Sequence, residues 1–437
     1  MELSVEKVLE AERNFLANHE GELDFPVKAM KEELEPVFQK WGWREPGEEV
    51  RSILLQHSEA NGDFVMSSPF IRAVRQCYPQ AYITLMVYPA CQELAEACPY
   101  VDEVFVRPGY KGQELTWREG LEELLKLLPP FLSRRYDLGF TWNEARGAWD
   151  RLWLYWAGVR ERIGFGPYVI EGATMKEEAR HWHALLTLAL PRDRGAALRD
   201  SEKCLRLLEA FTKQPVSDRN VEVWTNPADE RAAAPFLQRL KVRGMRRIYA
   251  VMPGVSEARR QWPVERWQEL LEAILSREPQ TGLVILGGPK EVELAEGLAA
   301  RLSENFNGRV ISAAGKLTFR GTAALLKGCS KYLGNDTGAL HLAVAQQVPI
   351  LVPYAYALDI GLRSLSMPVR FAPWGVPAVQ VFPKEHRDDC RDLDGPGCAR
   401  KDEAHCILGI TVETMLYAYE ALEKQIAAGA EKPIRFC

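Results

Sequence analysis

The stretch "YLGNDTGALHLAVAQQVPILVPY", Tyr332 to Tyr354, decides the architecture. A short apolar run ends in Gly334-Asn335-Asp336-Thr337-Gly338. A helix-like segment follows at once, with His341 in its first turns, and a second apolar run, Pro349 to Val352, comes after it. Short apolar runs alternating with amphipathic segments are the pattern of a parallel sheet covered by helices on both faces. The corner between strand and helix gathers Asp336, Thr337, Gly338 and His341. Small polar groups and free backbone N–H donors at a helix N-terminus suit an anion. Taken alone, the same residues also read as a helix cap, Asp336, and a satisfied, partly buried histidine, His341.

The same alternation runs outward from this stretch. From Arg51, "RSILLQHS", "AYITLMVY", "VDEVFVRP" and "YDLGFTW" read as strands. The segments "FVMSSPFIRAVRQCYP", "ACQELAEACP" and "WREGLEELLKLLPPFLSRR" read as helices between them, the last interrupted at Pro129-Pro130. A second series begins with "RIYAVMPG" and continues through "TGLVILGG", "RVISAAG" and "KYLGND", with amphipathic helices between, and the chain ends in the helix "TVETMLYAYEALEKQIAAG". Residues 144–245 read as mostly helical, with the apolar segments "DRLWLYWAG" and "ARHWHALLTLAL". Residues 1–48 form a helical extension whose apolar positions pack on a neighbouring domain or subunit.

The reading is therefore α/β, with two successive doubly wound, Rossmann-like domains. The expected divisions are 1–48 (extension), 49–225 (first domain), 226–410 (second domain) and 411–437 (C-terminal helix). Open α/β sheets bind ligands at the carboxyl ends of their strands, so two such sheets facing a cleft would hold a ligand in it.

Bulk numbers exclude several classes. The chain has 437 residues, of which 47% are hydrophobic and 26% charged, an ordinary globular composition. A formal net charge of −5 argues against nucleic acid as a partner, which needs a basic face. The segment "MELSVEKVLEAERNFLANHE" has no basic n-region and no apolar h-region, and no apolar run reaches the roughly 18 residues of a membrane span, so a cytoplasmic location is expected. Nine cysteines without a secretion signal read mostly as reduced thiols.

Three further strand ends carry candidate chemistry. In "HSEANGDFVMSSP", Gly62 permits an unusual backbone angle and Asp63 opens a helix, as a cap or as a carboxylate able to take a proton from a hydroxyl nucleophile. In "VMPGVSEARRQWPVERW", Arg259 and Arg260 are solvated charges or phosphate ligands, and Pro263 suits a first helical turn. In "LVILGGPKEVELA", the glycines form a tight turn or admit a flat ligand, and Glu291 is placed to accept hydrogen bonds from ribose hydroxyls.

Together, in this order, the four corners resemble those of the bacterial ADP-heptose heptosyltransferases, glycosyltransferase family 9. The resemblance covers about Arg51 to Glu423 and is most specific in "GNDTGALHLAVAQQVPILVPY". It implies the GT-B architecture and an inverting transfer of heptose from ADP-heptose to a hydroxyl of the lipopolysaccharide core or of a protein Ser or Thr. It implies Asp63 as general base, the donor pyrophosphate on the backbone of Thr337, Gly338 and Ala339 with Asp336 and His341 beside it, and Glu291 near the nucleoside. Arg260 stands where these enzymes often keep a lysine, which retains the charge but offers a planar fork instead of a point charge. No catalytic metal is required, because helix N-termini and a basic side chain stabilise the leaving charge. Peripheral contact with the inner membrane and homo-oligomerisation are compatible with the resemblance. Two other classes stay open: a nucleotide-sugar epimerase of the same architecture, and a non-catalytic nucleotide-binding scaffold subunit.

Cys390, Cys398 and Cys406 lie in "HRDDCRDLDGPGCARKDEAHCILGIT", flanked by His386 and His405. Three thiolates and one more ligand make a tetrahedral Fe or Zn site, although the spacing is wider than usual. The segment resembles the Cys-rich loop of the subgroup that glycosylates autotransporter adhesins, which holds iron and forms rings. Three reduced thiols in a long loop are the equal alternative.

Overall fold

Every strand pairing among the described residues is parallel. The computed structural model describes residues 3–20, 26–43, 49–108, 116–142, 148–168, 182–192, 198–355, 367–385 and 403–437. The first sheet holds β1 (Ser52–His57), β2 (Tyr82–Val87), β3 (Glu103–Val106), β4 (Leu138–Thr141), β5 (Glu161–Tyr168) and β6 (Leu188–Arg192), in the order β3-β2-β1-β4-β5-β6. The second holds β7 (Arg247–Met252), β8 (Thr281–Ile285), β9 (Val310–Ser312), β10 (Lys331–Gly334), β11 (Ile350–Pro353), β12 (Ala378–Val381) and β13 (Ile434–Phe436), in the order β13-β12-β11-β10-β7-β8-β9. Both sheets wind alike: three strands run outward to one side, and the chain then returns to pair on the other side of the first. The order reverses between β1 and β4, and again between β7 and β10. Such switch points open a crevice at the carboxyl ends of the strands.

By contacts the chain divides into two units. One gathers Met1–Glu59, Phe70–Arg194 and Lys203–Asp218; the other gathers Ala60–Pro69, Gly195–Glu202 and Arg219–Cys437. The start of helix α3 (Asn61–Cys77) thus belongs by its contacts to the second unit. Phe64 packs edge-on against Trp224, and the Ser68 hydroxyl accepts from the Glu222 N–H at 2.8 Å.

In the first unit the N-terminal extension completes the core. Helices α1 (Val5–Asn18) and α2 (Val27–Trp41) bury Val8, Leu9, Phe15 and Leu16, and Met30, Leu34, Phe38 and Trp41, against Trp153, Tyr155 and Trp156. Phe15 meets Trp156 edge-on at 6.1 Å, and the Tyr155 hydroxyl donates to the Met30 carbonyl. Burial of this size per aromatic dominates core energetics. The core of the second unit joins Trp262, Trp267, Leu271 and Ile274 to the C-terminal helix Val412–Ala427 through Met415, Ala418 and Leu422.

Several expectations change. The helix Trp117–Arg134 runs unbroken through Pro129 and Pro130. Its buried stripe, Leu121, Leu124, Leu125, Leu128, Phe131 and Leu132, continues past both prolines, and that packing outweighs the lost N–H donors. Residues 144–245 contain β5 and β6 as well as helices. "ERIGFGPY" conceals a strand because glycine, proline and arginine occupy it, and Arg162 is buried at 2% exposure with its guanidinium on the carbonyls of Leu185, Val159 and Arg160. The C-terminal helix is followed by β13, which pairs with β12. No helix among the described residues is long and apolar enough to cross a membrane.

Candidate active site at the second sheet's switch point

Two strand ends, β7 and β10, are bound together by one amide. Asn335 is fully buried; its Nδ2 donates to the Pro253 carbonyl at 2.6 Å, and its Oδ1 accepts from the Trp262 N–H at 3.3 Å. Gln261 Nε2 adds a second bond to the same carbonyl, and the Trp262 indole donates to the Ile410 carbonyl. The loop from Pro253 to Trp262 is therefore held at both ends, and it carries the two arginines. Neither is a solvated surface charge. Arg259 is 5% exposed and bonds the Glu257 carboxylate at 2.7 Å. Arg260 reaches the Asp336 carboxylate at 3.6 Å, the Asp336 carbonyl at 3.3 Å and the Ser256 hydroxyl at 3.3 Å. Asn335 was not singled out in the sequence; its position directly after an apolar strand, next to the Asp-Thr-Gly run, was the available signal.

At the end of β10 the residue in the cap position of the helix Gly338–Ala345 is Thr337, with φ −142° and ψ 173°, and not Asp336. No side chain caps this helix, so the backbone N–H groups of its first turn have no side-chain acceptor, the arrangement that suits an anion. Asp336 is buried, and burial pushes its carboxyl up to about 6 against the pull of Arg260. His341, one turn in, is buried against Phe371, edge-on at 5.9 Å. Burial holds it neutral, pushing it down to about 4, with Asp200 opposing. A neutral imidazole there is a hydrogen-bonding group and not a cation.

At the end of β8, Glu291 precedes the helix Val292–Asn305. It is wrapped by glycines: a methyl group on Gly254 would lie 2.5 Å from Glu291 Cγ, and one on Gly288 2.7 Å from its Oε2. Glu291 thus sits against the ends of both β7 and β8, with its side chain laid over bare backbone.

The turn that precedes α3 joins the same group. Ala60 donates its N–H to Asp63 Oδ2 at 3.2 Å, and its carbonyl accepts from the Phe64 N–H, so Asp63 occupies the third helical position rather than the cap. Gly62 is needed for closeness and not for an unusual backbone angle, since it is absent from the residues with positive φ. A methyl group there would lie 2.9 Å from the His341 ring and 3.2 Å from the Gly338 Cα. The turn bearing Asp63 therefore abuts the helix start bearing Gly338 and His341. Asp63 is raised to about 6, first by loss of solvent and then by Asp200, while Arg370 and the N–H groups of Ala60 and Asp63 pull it down. Arg370 grips Asp200 with two nitrogens, Nε lying 2.9 and 3.1 Å from the two carboxylate oxygens. Asp200 and Arg370 escaped sequence reading: both lie outside the recognisable strand-helix corners, and nothing in their spacing announces the pair.

The first unit also has polar side chains at its strand ends. Asp150 accepts from the Ser58 hydroxyl and from Arg107 Nη1 at 3.0 Å, and Arg107 Nη2 meets the Tyr88 hydroxyl at 3.0 Å. Arg107 and Asp150 are 4% and 1% exposed. Of the proposed metal ligands, Cys390 and Cys398, with His386, lie outside the described residues. The Cys406 thiol lies 3.4 Å from His405 Nδ1. No group of three or more His, Cys, Asp or Glu among the described residues is placed to hold a metal ion.

Comparison with known proteins bears on this arrangement. Residues 173–393 match the family described as glycosyltransferase family 9 (heptosyltransferase). Over 303 residues the chain is 23% identical to the lipopolysaccharide heptosyltransferase 2 of Escherichia coli, covering 67% of this chain and 79% of that one. Among solved structures, a family 9 glycosyl transferase from Veillonella parvula superposes with a TM-score of 0.64 at 17% identity, over 86% of this chain and 99% of its own. The Escherichia coli ADP-heptose lps heptosyltransferase II gives 0.61 at 19%, over 86% and 99%. The fold shared with these is GT-B.

Proposed function

The chain belongs to glycosyltransferase family 9, and from that premise we propose that it moves heptose from ADP-heptose to an acceptor hydroxyl with inversion at the anomeric carbon. The observation that carries this reading is the contact of Gly62 with Gly338 and His341, which sets the Asp63 turn beside an uncapped helix start. A proton acceptor and an anion-binding turn within one sugar's reach are what an inverting transfer needs.

In this reading the backbone N–H groups of Thr337, Gly338 and Ala339 bind the pyrophosphate. Arg260, held by Asp336, adds positive charge, Glu291 receives the ribose hydroxyls, and neutral His341 contributes a hydrogen bond. The ionised Asp63 takes the acceptor hydroxyl proton as that oxygen attacks C1. The C1–O bond to phosphate breaks and ADP departs with the electron pair, its charge met by donors already in place. A carboxyl pushed up to about 6 is a stronger base than an ordinary aspartate and is still mostly ionised at pH 7. Residues 226–410 serve the sugar nucleotide and residues 49–225 the acceptor.

The acceptor we favour is a lipopolysaccharide core glycan; the Escherichia coli relative is named a lipopolysaccharide heptosyltransferase. The test incubates the enzyme with ADP-heptose and a core glycan lacking heptose, and reads products by mass spectrometry. One added heptosyl residue and released ADP are expected. An unmodified glycan with a heptosylated Ser or Thr peptide would shift the acceptor class, and an isomerised sugar nucleotide with neither acceptor changed would make the enzyme an epimerase. The cysteine segment is proposed as a structural Fe or Zn site completed by Cys390, Cys398 and Cys406. Near-stoichiometric metal in purified protein, lost on Cys406→Ser, is its expected signature; metal-free folded protein rejects it.

A further inference from the structure

One short segment, Arg370 to Trp374, touches two parts of the second unit. Arg370 grips Asp200, Phe371 meets the His341 ring, and Trp374 carries the Arg199 guanidinium over its face at 3.8 Å. Residues 199 and 200 open a helix and are tied to the segment twice in succession, by an ion pair and by a cation–π contact. Trp374 remains 42% exposed, one of few large apolar side chains in the described residues that do so. An exposed indole beside a carboxylate–guanidinium pair is an unusual surface. The ring face turned away from Arg199 suits the C–H face of a pyranose, and the ion pair offers acceptors and donors to vicinal hydroxyls. The position fits as well. His341 lies in the first turns of the helix assigned to the pyrophosphate, and Phe371 covers its ring. A sugar attached to that pyrophosphate therefore emerges beside this segment.

We propose that Asp200, Arg370 and Trp374 form the wall that reads the sugar of the donor, Asp200 and Arg370 by hydrogen bonds to its hydroxyls and Trp374 by stacking. This rests on the reading of the Asp336–His341 corner as the pyrophosphate site. It also gives Asp200 two duties, because the same carboxylate faces Asp63 and His341.

Calorimetry with ADP and with ADP-heptose separates the wall from the nucleotide site. In the wild type ADP-heptose should bind more tightly than ADP. Trp374→Ala and Asp200→Asn should each remove roughly tenfold of that gain, the size of one charge-assisted or well-packed contact, while leaving ADP affinity within about twofold. Trp374→Phe, which keeps an aromatic face, should restore most of the gain, an outcome a purely structural tryptophan would not require. If either of the first two variants keeps the full preference for ADP-heptose while binding ADP normally, the wall is wrong and the pyrophosphate site stands. If the wild type binds neither ligand, the pyrophosphate reading falls and takes the wall with it. Should Asp200→Asn lose its fold, Trp374→Ala alone decides, since its side chain is half in solvent.

Discussion

At the carboxyl ends of β1, β2 and β3 the first unit closes its strands with side chains that bond one another: Ser58 and Arg107 on Asp150, and Arg107 on Tyr88. At the carboxyl ends of β7, β8 and β10 the second unit leaves backbone bare instead. Gly254, Gly287, Gly288 and Gly338 stand where a Cβ would strike a neighbour, and the helix after Thr337 goes uncapped. The sheets are wound alike, so the difference is not topological. A strand end filled by paired charges is a finished piece of core, whereas one lined by glycine and free N–H groups is unfinished until an anion arrives. The two sheets thus differ in how their corners are completed.

The sharpest way to break this comparison is at the one carboxylate that joins the bare corner from α3. Asp63→Asn keeps the shape and cannot take a proton, so turnover should fall by about 10²–10⁴-fold with ADP affinity unchanged. Near-normal turnover in a variant with a normal melt would reduce Asp63 to a helix-start residue.

In the first unit the expected loss is of stability and not of nucleotide binding. Arg107→Ala strands a buried Asp150, and removing one partner of such a pair costs about 3–5 kcal/mol. The urea midpoint should drop accordingly, and any surviving folded protein should bind ADP as before. A variant with wild-type stability and weakened ADP binding would move that cluster into the donor site.

Gly62→Ala probes the closeness of the two helix starts. Its methyl group would press on the His341 ring at 2.9 Å and on the Gly338 backbone at 3.2 Å. Only the ring can yield, so overpacking of about 1–3 kcal/mol is expected, with turnover falling more than ADP affinity. Equal losses in both would mean that the Asp63 turn is part of the nucleotide site itself.

The smallest effect is in pH. Asp63 is raised to about 6 in the fold, and a base works ionised, so turnover should fall about tenfold per unit as pH drops below 6. For stability the sign is opposite: a raised carboxyl favours the fold while protonated, and that contribution is lost as pH rises through about 6. Asp63→Asn should therefore melt at or above the wild-type temperature at pH 8 and gain less at pH 4. A turnover profile flat from pH 5 to 8 would remove Asp63 as the group being titrated.

How much of this was legible in advance varies from residue to residue. β1, β2, β7, β8, β10 and β11 were visible because strands buried on both faces are continuous apolar runs. β5 was not, because its Arg162, Gly164 and Gly166 are paid no attention by any hydrophobic pattern, and Arg162 is buried only because three carbonyls receive it. The continuous helix through Pro129 and Pro130 was hidden for the opposite reason, since the local rule predicts a break and the leucine stripe overrides it. Within the site, Asp63, Arg260, Glu291, Asp336, Thr337, Gly338 and His341 stood out because they lie in the corners and first helical turns that come after strands, and the family resemblance supplied their roles. Asn335 was passed over beside them, and its importance lies in partners more than seventy positions away, Pro253 and Trp262.

By itself, then, the sequence determined what depends on near neighbours: the alternation of strands and helices, and the small polar corners where strands end. Only the tertiary structure decided what depends on distant ones. Gly62 is a glycine because His341 and Gly338 come within van der Waals reach of it. Asp200 matters because Arg370, far along the chain, turns two nitrogens toward it. The proton affinity of Asp63 is set by burial and by those two residues together. Periodicity is a property of consecutive residues and survives in the bare string. Contact, desolvation and charge pairing are properties of the packed chain, and they come into being only when it folds.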